Sequence, residues 1–242
     1  TQDYYHLQEA EDFELDVEDL CRTLLNGYDF LILCNPNNPT SSAILKDEMR
    51  ALLSFCANRD IFVMIDETYV EFAPSVQEVT AVPYTKDFSN LMVLRGVSKF
   101  YAAPGMRFGY GITGNKEFLS QMKEKQIPWS LNSLGAYAGE QMFKDTSYIR
   151  QTRALILTER DRMFLELKKM PSFKVYFPYG NFILVKILKP EVTSFDVFEA
   201  CIKEGLMIRD CSSFQCLDGE FIRFCIMKPE DNNRLLKVLR TI

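Results

Sequence analysis

Three short, almost wholly apolar runs punctuate the first hundred residues, at 28–34 (Y-D-F-L-I-L-C), 61–65 (I-F-V-M-I) and 91–94 (L-M-V-L). A strand with polar residues at alternate positions can leave one face in water, whereas a strand without them calls for cover on both faces. Between the first two runs, 45–58 has the apolar spacing of a helix. Buried strands separated by helices predict an α/β domain with a mostly parallel sheet and helices on both faces. Residues 108–112 predict a fourth strand, 116–126 and 131–143 two helices, and 147–170 a long charged amphipathic helix joining two domains. Beyond residue 172, strands at 173–177, 182–187 and 221–226 mix with helices at 194–204 and 229–239, which predicts a smaller C-terminal α+β domain. The expected domains are 1–155 and 156–242.

Composition narrows the function classes. With 47% hydrophobic and 25% charged residues the 242-residue chain is ordinary globular material. Its net charge of -5, with both signs interspersed and no basic stripe, gives no footprint for nucleic acid. No apolar run is long enough to span a bilayer, and the polar, acidic start T-Q-D-Y-Y-H-L-Q-E-A-E-D does not read as a secretory signal. The seven cysteines (Cys21, Cys34, Cys56, Cys201, Cys211, Cys216, Cys225) are odd in number and form no C-x-x-C, as expected of reduced thiols in a cytoplasmic protein. A single histidine, His6, stands beside no acid or nucleophile motif, which argues against a Ser-His-Asp triad and a histidine-ligated metal. Proton transfers then fall to Lys, Tyr, Asp or Glu, or to an organic cofactor.

Ligand sites of parallel sheets collect at the carboxyl ends of the strands, and each of the three runs ends in an unusual segment. After the first comes N-P-N-N-P-T (35–40). It is either a strand-to-helix loop with Thr40 or Ser41 as N-cap, or a loop, cis at proline, that aims the Asn38 amide at a ligand oxygen. After the second comes D-E-T-Y. Asp66 is either a helix N-cap or a functional acid partnered by a cation, Glu67 is the weaker candidate, and Tyr69 is either core or a hydrogen-bond donor to the same ligand. After the third comes V-S-K-F-Y-A-A-P-G-M-R-F-G. Lys99 there is either a solvated loop lysine or an amine nucleophile whose pKa is lowered by burial and by a nearby cation such as Arg107. Ser98 and Arg107 suit a phosphate, and Gly105 and Gly109 permit positive φ or close backbone approach.

These three segments, in this order, resemble the fold type I enzymes that use pyridoxal 5'-phosphate, the aspartate aminotransferase superfamily. The resemblance covers essentially the whole chain. It implies that Lys99 binds the cofactor aldehyde covalently through its amine, that Asp66 pairs with the pyridine nitrogen, that Tyr69 and Asn38 bind the ring oxygen, and that Ser98 and Arg107 hold the cofactor phosphate. Within the superfamily, 94–110, 126–134 and 206–214 are similar to threonine-phosphate decarboxylases, with histidinol-phosphate aminotransferases close behind. The resemblance then places Arg223 on the substrate α-carboxylate, Arg209 by the substrate phosphate, and Asn181 on the lining of the site. An arginine in a hydrophobic strand needs an anion in any case, and a buried structural ion pair would serve Arg209 equally well. A homodimer is also implied.

Members of that superfamily begin well upstream of Thr1. The expectation is therefore a truncated chain, with an exposed sheet edge and apolar surface that lead it to aggregate or to dimerise. The functions expected are a decarboxylase or aminotransferase of a small phosphorylated amino acid. The alternative from another class is a non-catalytic remnant of the fold.

Overall fold

The computed structural model describes residues 1–215 and 217–242; Cys216 lies outside the described residues. By their internal contacts the residues form two compact units. The first comprises Leu15–Pro36 and Ala43–Arg150, and the second Thr1–Glu14, Asn37–Ser42 and Gln151–Ile242. The expected division at 155/156 falls within a helix, just beyond the change of unit at Arg150.

The first unit begins with α1 (Val17–Leu24), capped by the Asp16 carboxylate, which accepts the Asp19 N–H at 2.9 Å. Strand β1 (Phe30–Cys34), helix α2 (Lys46–Ala57) and strand β2 (Phe62–Asp66) follow, then the short α3 (Val76–Val79), β3 (Leu91–Gly96) and β4 (Gly109–Thr113). The sheet order is β1-β2-β3-β4. β1, β2 and β3 run parallel, with Cys34 beside Asp66 and Asp66 beside Leu94, while β4 returns antiparallel to β3. Helix α2 buries Met49, Leu52, Leu53 and Cys56, the i, i+3, i+4, i+7 stripe of a helix lying on a sheet. Val63, Ile65, Leu91 and Val93 are the buried residues of β2 and β3.

The cover expected on both faces of β1 is not found within the described residues. Leu31 is buried, whereas Phe30 and Ile32 are exposed. Phe30 stacks on Phe62, which meets Phe118 of α4 (Lys116–Lys125). Helix α4 buries none of its own residues, and α5 (Ser133–Lys144) buries only Gly135 and Gly139.

Helix α6 (Thr146–Lys168) carries the chain into the second unit. There β5 (Phe173–Val175), β6 (Phe182–Ile187), α7 (Ser194–Lys203), β7 (Arg209–Asp210), β8 (Phe221–Cys225) and α8 (Pro229–Leu239) make an antiparallel sheet of order β5-β6-β8-β7 with its helices. β6 is buried almost throughout, and α8 contributes Leu235, Leu236, Val238 and Leu239. The N-terminal segment belongs to this unit. Phe13 inserts among Tyr176, Leu184, Cys211 and Phe221, and Glu9 holds Lys186 (2.6 Å) and the Tyr176 hydroxyl (2.8 Å). No described helix is long and apolar enough to cross a membrane.

Candidate active-site residues

The loop after β1 is divided between the units. Asn35, at its start, is fully buried in the first. Its amide nitrogen donates to the carbonyls of Ile44 (3.1 Å) and Val79 (2.9 Å), and its amide oxygen accepts the Ile44 N–H (2.8 Å). The Asn35–Pro36 and Asn38–Pro39 peptides are both cis. Residues 37–42 pack with the second unit, where the Ser41 hydroxyl accepts the Gly180 N–H at 2.8 Å. Neither Thr40 nor Ser41 caps α2. The Thr40 hydroxyl is taken by Asn37 and Ser42, and Leu45 occupies the cap position. Asn38 is exposed and its amide oxygen accepts a hydrogen bond from Arg223.

Two neighbouring carboxylates end β2 and play opposite parts. Asp66 is half-buried and caps no helix; its Oδ1 accepts both the N–H (2.8 Å) and the hydroxyl of Thr68. Its Oδ2 accepts no hydrogen bond from a described residue, which leaves one oxygen for a cationic ring nitrogen. Desolvation by its surroundings and the Asp66 charge push the neighbouring Cys34 thiol up to about 11, although its side chain is exposed. The fully buried carboxylate is Glu67. It accepts the Ala81 N–H (2.5 Å), the Thr80 hydroxyl (2.9 Å), and Nε (2.9 Å) and Nη2 (2.7 Å) of Arg95. Burial pushes its carboxyl above the ordinary range, against the pull of Arg95 and these hydrogen bonds. Burial weakens the protonation of Arg95 too, but the charge and hydrogen bonds of Glu67, with the Glu71 charge, together outweigh that and hold it more firmly protonated than a free arginine.

After β3, the backbone of Val97 and Phe100 is pinned by their buried side chains, and half-buried Ser98 and exposed Lys99 lie between them. The burial expected around Lys99 is absent. Its Nζ stands 5.8 Å from the centre of the Tyr69 ring and makes no ion pair with a described residue. Arg107 is exposed, adopts a left-handed φ of 49°, and donates Nη1 to the Pro104 carbonyl (3.1 Å). Positive φ thus falls on Arg107 and Ala102, not on Gly105 or Gly109. Gly109 serves the other purpose expected of it, close approach, since a Cβ there would meet the Arg95 carbonyl at 3.1 Å.

The second unit holds the other candidates. Arg209 on β7 and Arg223 on β8 are direct cross-strand partners. Like charges in that position repel, and neither guanidinium has a described carboxylate within ion-pair distance. Arg209 donates to the Ser213 hydroxyl (2.9 Å), and Arg223 lies over the Phe182 ring at 5.1 Å. Both arginines line a cavity of about 600 Å³ with Ser213, Phe195, Phe198 and Met207. The structural ion pair considered for Arg209 is therefore not formed. Asn181, at the start of β6, accepts the Ile226 N–H on its backbone oxygen (2.7 Å), and its buried Oδ1 has no hydrogen-bond partner among the described residues. A buried acceptor without a donor is costly and suits a ligand N–H or O–H.

The candidates thus form two groups: Asp66, Tyr69, Ser98, Lys99 and Arg107 in the first unit, and Asn38, Asn181, Arg209 and Arg223 in the second. Sequence reasoning missed Asn35 and Arg95. Only Arg95 carried a signal, a cation in an otherwise apolar strand.

Threonine-phosphate decarboxylase of Salmonella typhimurium is 30% identical over 238 residues, covering 98% of this chain and 64% of that protein. Histidinol-phosphate aminotransferase of Methanothermobacter thermautotrophicus is 33% identical over 225 residues, covering 93% of this chain and 58% of that protein. The crystal structure of histidinol-phosphate aminotransferase from Clostridium acetobutylicum superposes with a TM-score of 0.89 at 33% identity, over 97% of this chain and 69% of that one. The chain thus spans somewhat under two thirds of the length of the curated relatives it matches. Residues 1–239 match aminotransferase class I and II, and the chain belongs to this family of enzymes dependent on pyridoxal phosphate.

Proposed function

We propose that the chain is the larger part of an enzyme that decarboxylates a small phosphorylated amino acid, of the threonine-phosphate decarboxylase kind. The observation that carries this reading is the Arg209–Arg223 pair. Two guanidiniums in cross-strand register, without acids of their own and lining one cavity, suit a ligand with two anionic groups.

The residues divide the work. Lys99 Nζ is the amine that takes the cofactor aldehyde, and its exposure leaves it accessible. Asp66 Oδ2 is the acceptor for the protonated ring nitrogen, with Oδ1 anchored by Thr68. Tyr69 and the amide nitrogen of Asn38 serve the ring oxygen, since the Asn38 amide oxygen is already committed to Arg223. Ser98 and Arg107 hold the cofactor phosphate. Arg223 orients the substrate carboxylate, Arg209 the phosphate, and Asn181 Oδ1 accepts from the ligand. Bound pyridoxal phosphate supplies a sink for the electrons released when a bond to the substrate Cα breaks. By orienting the substrate, Arg223 and Arg209 would decide which bond to its Cα breaks. Loss of the carboxylate would release CO2, and loss of the hydrogen would leave a proton for Lys99 Nζ to hold and move.

The second outcome is transamination, and the similarity to histidinol-phosphate aminotransferases favours keeping it as an alternative. Incubation with O-phosphothreonine separates them: release of CO2 supports the decarboxylase, and a keto acid supports the aminotransferase. Cofactor binding is tested on this chain by adding pyridoxal phosphate, reducing with borohydride and mapping the adduct. One stoichiometric adduct on Lys99 is expected, and label scattered over surface lysines would contradict its assignment. A homodimer is part of the proposal, supported by the exposed apolar side chains of 127–137.

A further inference from the structure

Phe214 is not required by the chemistry above, yet it touches both halves of the arginine pair. Its ring centre lies 5.5 Å from the Arg209 guanidinium carbon and 6.0 Å from that of Arg223. The ring also packs against the buried cluster of Phe13, Tyr176, Leu184, Cys211 and Phe221, as do Leu7 and Leu217. Arg223 has further restraints in Phe182 and Asn38, and Arg209 in Ser213. Phe214 is the restraint they share.

Two like charges on directly opposed strand positions repel and tend to splay. An aromatic face attracts each cation separately, so a fixed ring within reach of both holds the guanidiniums at a set separation before any ligand arrives. A ligand with one anionic group needs only one guanidinium and is indifferent to that separation. A ligand with two, joined by a short rigid link, gains from both only when the spacing is right.

We propose that Phe214 is a positioning residue that sets the separation of Arg209 and Arg223 and thereby selects amino acids bearing a terminal phosphate over their unphosphorylated counterparts. The proposal rests on the reading of the arginine pair as the site of a dianionic substrate.

The test is calorimetric titration of the chain with O-phospho-L-threonine and with L-threonine, for the wild type and for Phe214→Leu, Phe214→Met and Phe214→Tyr. The wild type is expected to favour the phosphorylated ligand. Leu and Met fill the space without an aromatic face, and are expected to weaken O-phosphothreonine about tenfold, the order lost with two exposed cation–π contacts, and to leave threonine unchanged. Tyr keeps the face and is expected to keep the selectivity. A wild type without preference overturns both the dianion reading and this inference. A wild-type preference that survives in Leu or Met, an equal loss of both ligands in either, or a loss of preference in Tyr overturns the inference alone. Leu and Met are two independent fillings of the same space, so one folded variant of the pair is enough to decide, and a loss of preference in Tyr overturns the inference without either.

Discussion

Arg95 in the first unit and Arg223 in the second occupy similar ground: each lies on a strand of an otherwise apolar run. Arg95 meets a buried carboxylate, donating Nε and Nη2 to the one oxygen Oε2 of Glu67, with a hydroxyl and a backbone N–H completing the carboxylate's set. Arg223 meets another arginine. The first arrangement is electrostatically finished and has no need of a ligand; the second is unfinished and invites an anion. An arginine in a strand is therefore no indicator of a binding site until its cross-strand and through-space partners are known.

The helices of the two units differ in the same sense. In the second unit α8 buries five of its residues, whereas α4 of the first buries none. Around that bare helix Ile127, Leu134 and Tyr137 are exposed, and Trp129 is 98% exposed. Surface of this kind is characteristic of a face that another polypeptide covers.

The sharpest way to break the first contrast is Glu67→Ala. Removing the acid strands a largely buried Arg95, and a loss of roughly 3–5 kcal/mol in urea unfolding is expected; a loss below about 1 kcal/mol would show that the network is not what secures the ends of β2 and β3. The next effect concerns association. Light scattering on the isolated chain is expected to show dimers or larger species, with Trp129→Ser and Leu134→Ser shifting them towards monomer. A stable wild-type monomer would contradict the assignment of 127–137 as a covered surface. Third, Arg223→Met is expected to leave stability within about 1 kcal/mol of the wild type, because the loss of stacking and of the bond to Asn38 is offset by relief of repulsion. Binding of O-phosphothreonine should fall by at least an order of magnitude. A destabilisation as large as that of Glu67→Ala would erase the distinction between the two arginines.

The smallest effect concerns pH, where the two units should respond with opposite sign. Burial raises the Glu9 carboxyl, but its hydrogen bonds to Lys186 and Tyr176 and the charges of Lys186 and Lys174 outweigh that, leaving it below the ordinary carboxylate value. A lowered carboxyl stabilises the fold above its unfolded-state pKa, and the contribution is lost as pH falls through the folded one. The raised Glu67 carboxyl works the other way: its contribution is complete below the unfolded pKa and declines as pH rises through the folded one. Amide protection in residues 1–14, taken relative to the intrinsic exchange rate, should therefore fall as pH drops from about 5 towards 3, while the Glu67 network keeps its contribution. Glu9→Gln should make exchange there fast already at neutral pH. Slow exchange in the variant would mean that Phe13 alone holds the segment.

Much of this was legible along the chain because it is local. Apolar runs mark β1, β2 and β3, 3.6-residue spacing marks α2, and Pro229 with its acidic neighbours opens α8 where expected. The motif order was enough to point to the family. The strand-end positions of Asn38, Asp66 and Lys99 followed from the rule that parallel sheets present their ligands there. Legibility failed where a side chain's surroundings come from distant sequence. The acid buried beside a cation proved to be Glu67 instead of Asp66, since alternation along β2 turns one carboxylate towards Arg95 and Thr80 and leaves its neighbour to Thr68.

Local patterning and motif spacing determined the strands, the helices and the family, because period, cap and loop chemistry are properties of consecutive residues. Tertiary structure alone decided that Phe13 and residues 37–42 belong with the C-terminal sheet, that Arg209 faces Arg223, and that one phenylalanine serves both. Register and long-range packing bring together residues far apart in the chain, and no local pattern specifies which cation will find an acid and which will be left for a ligand.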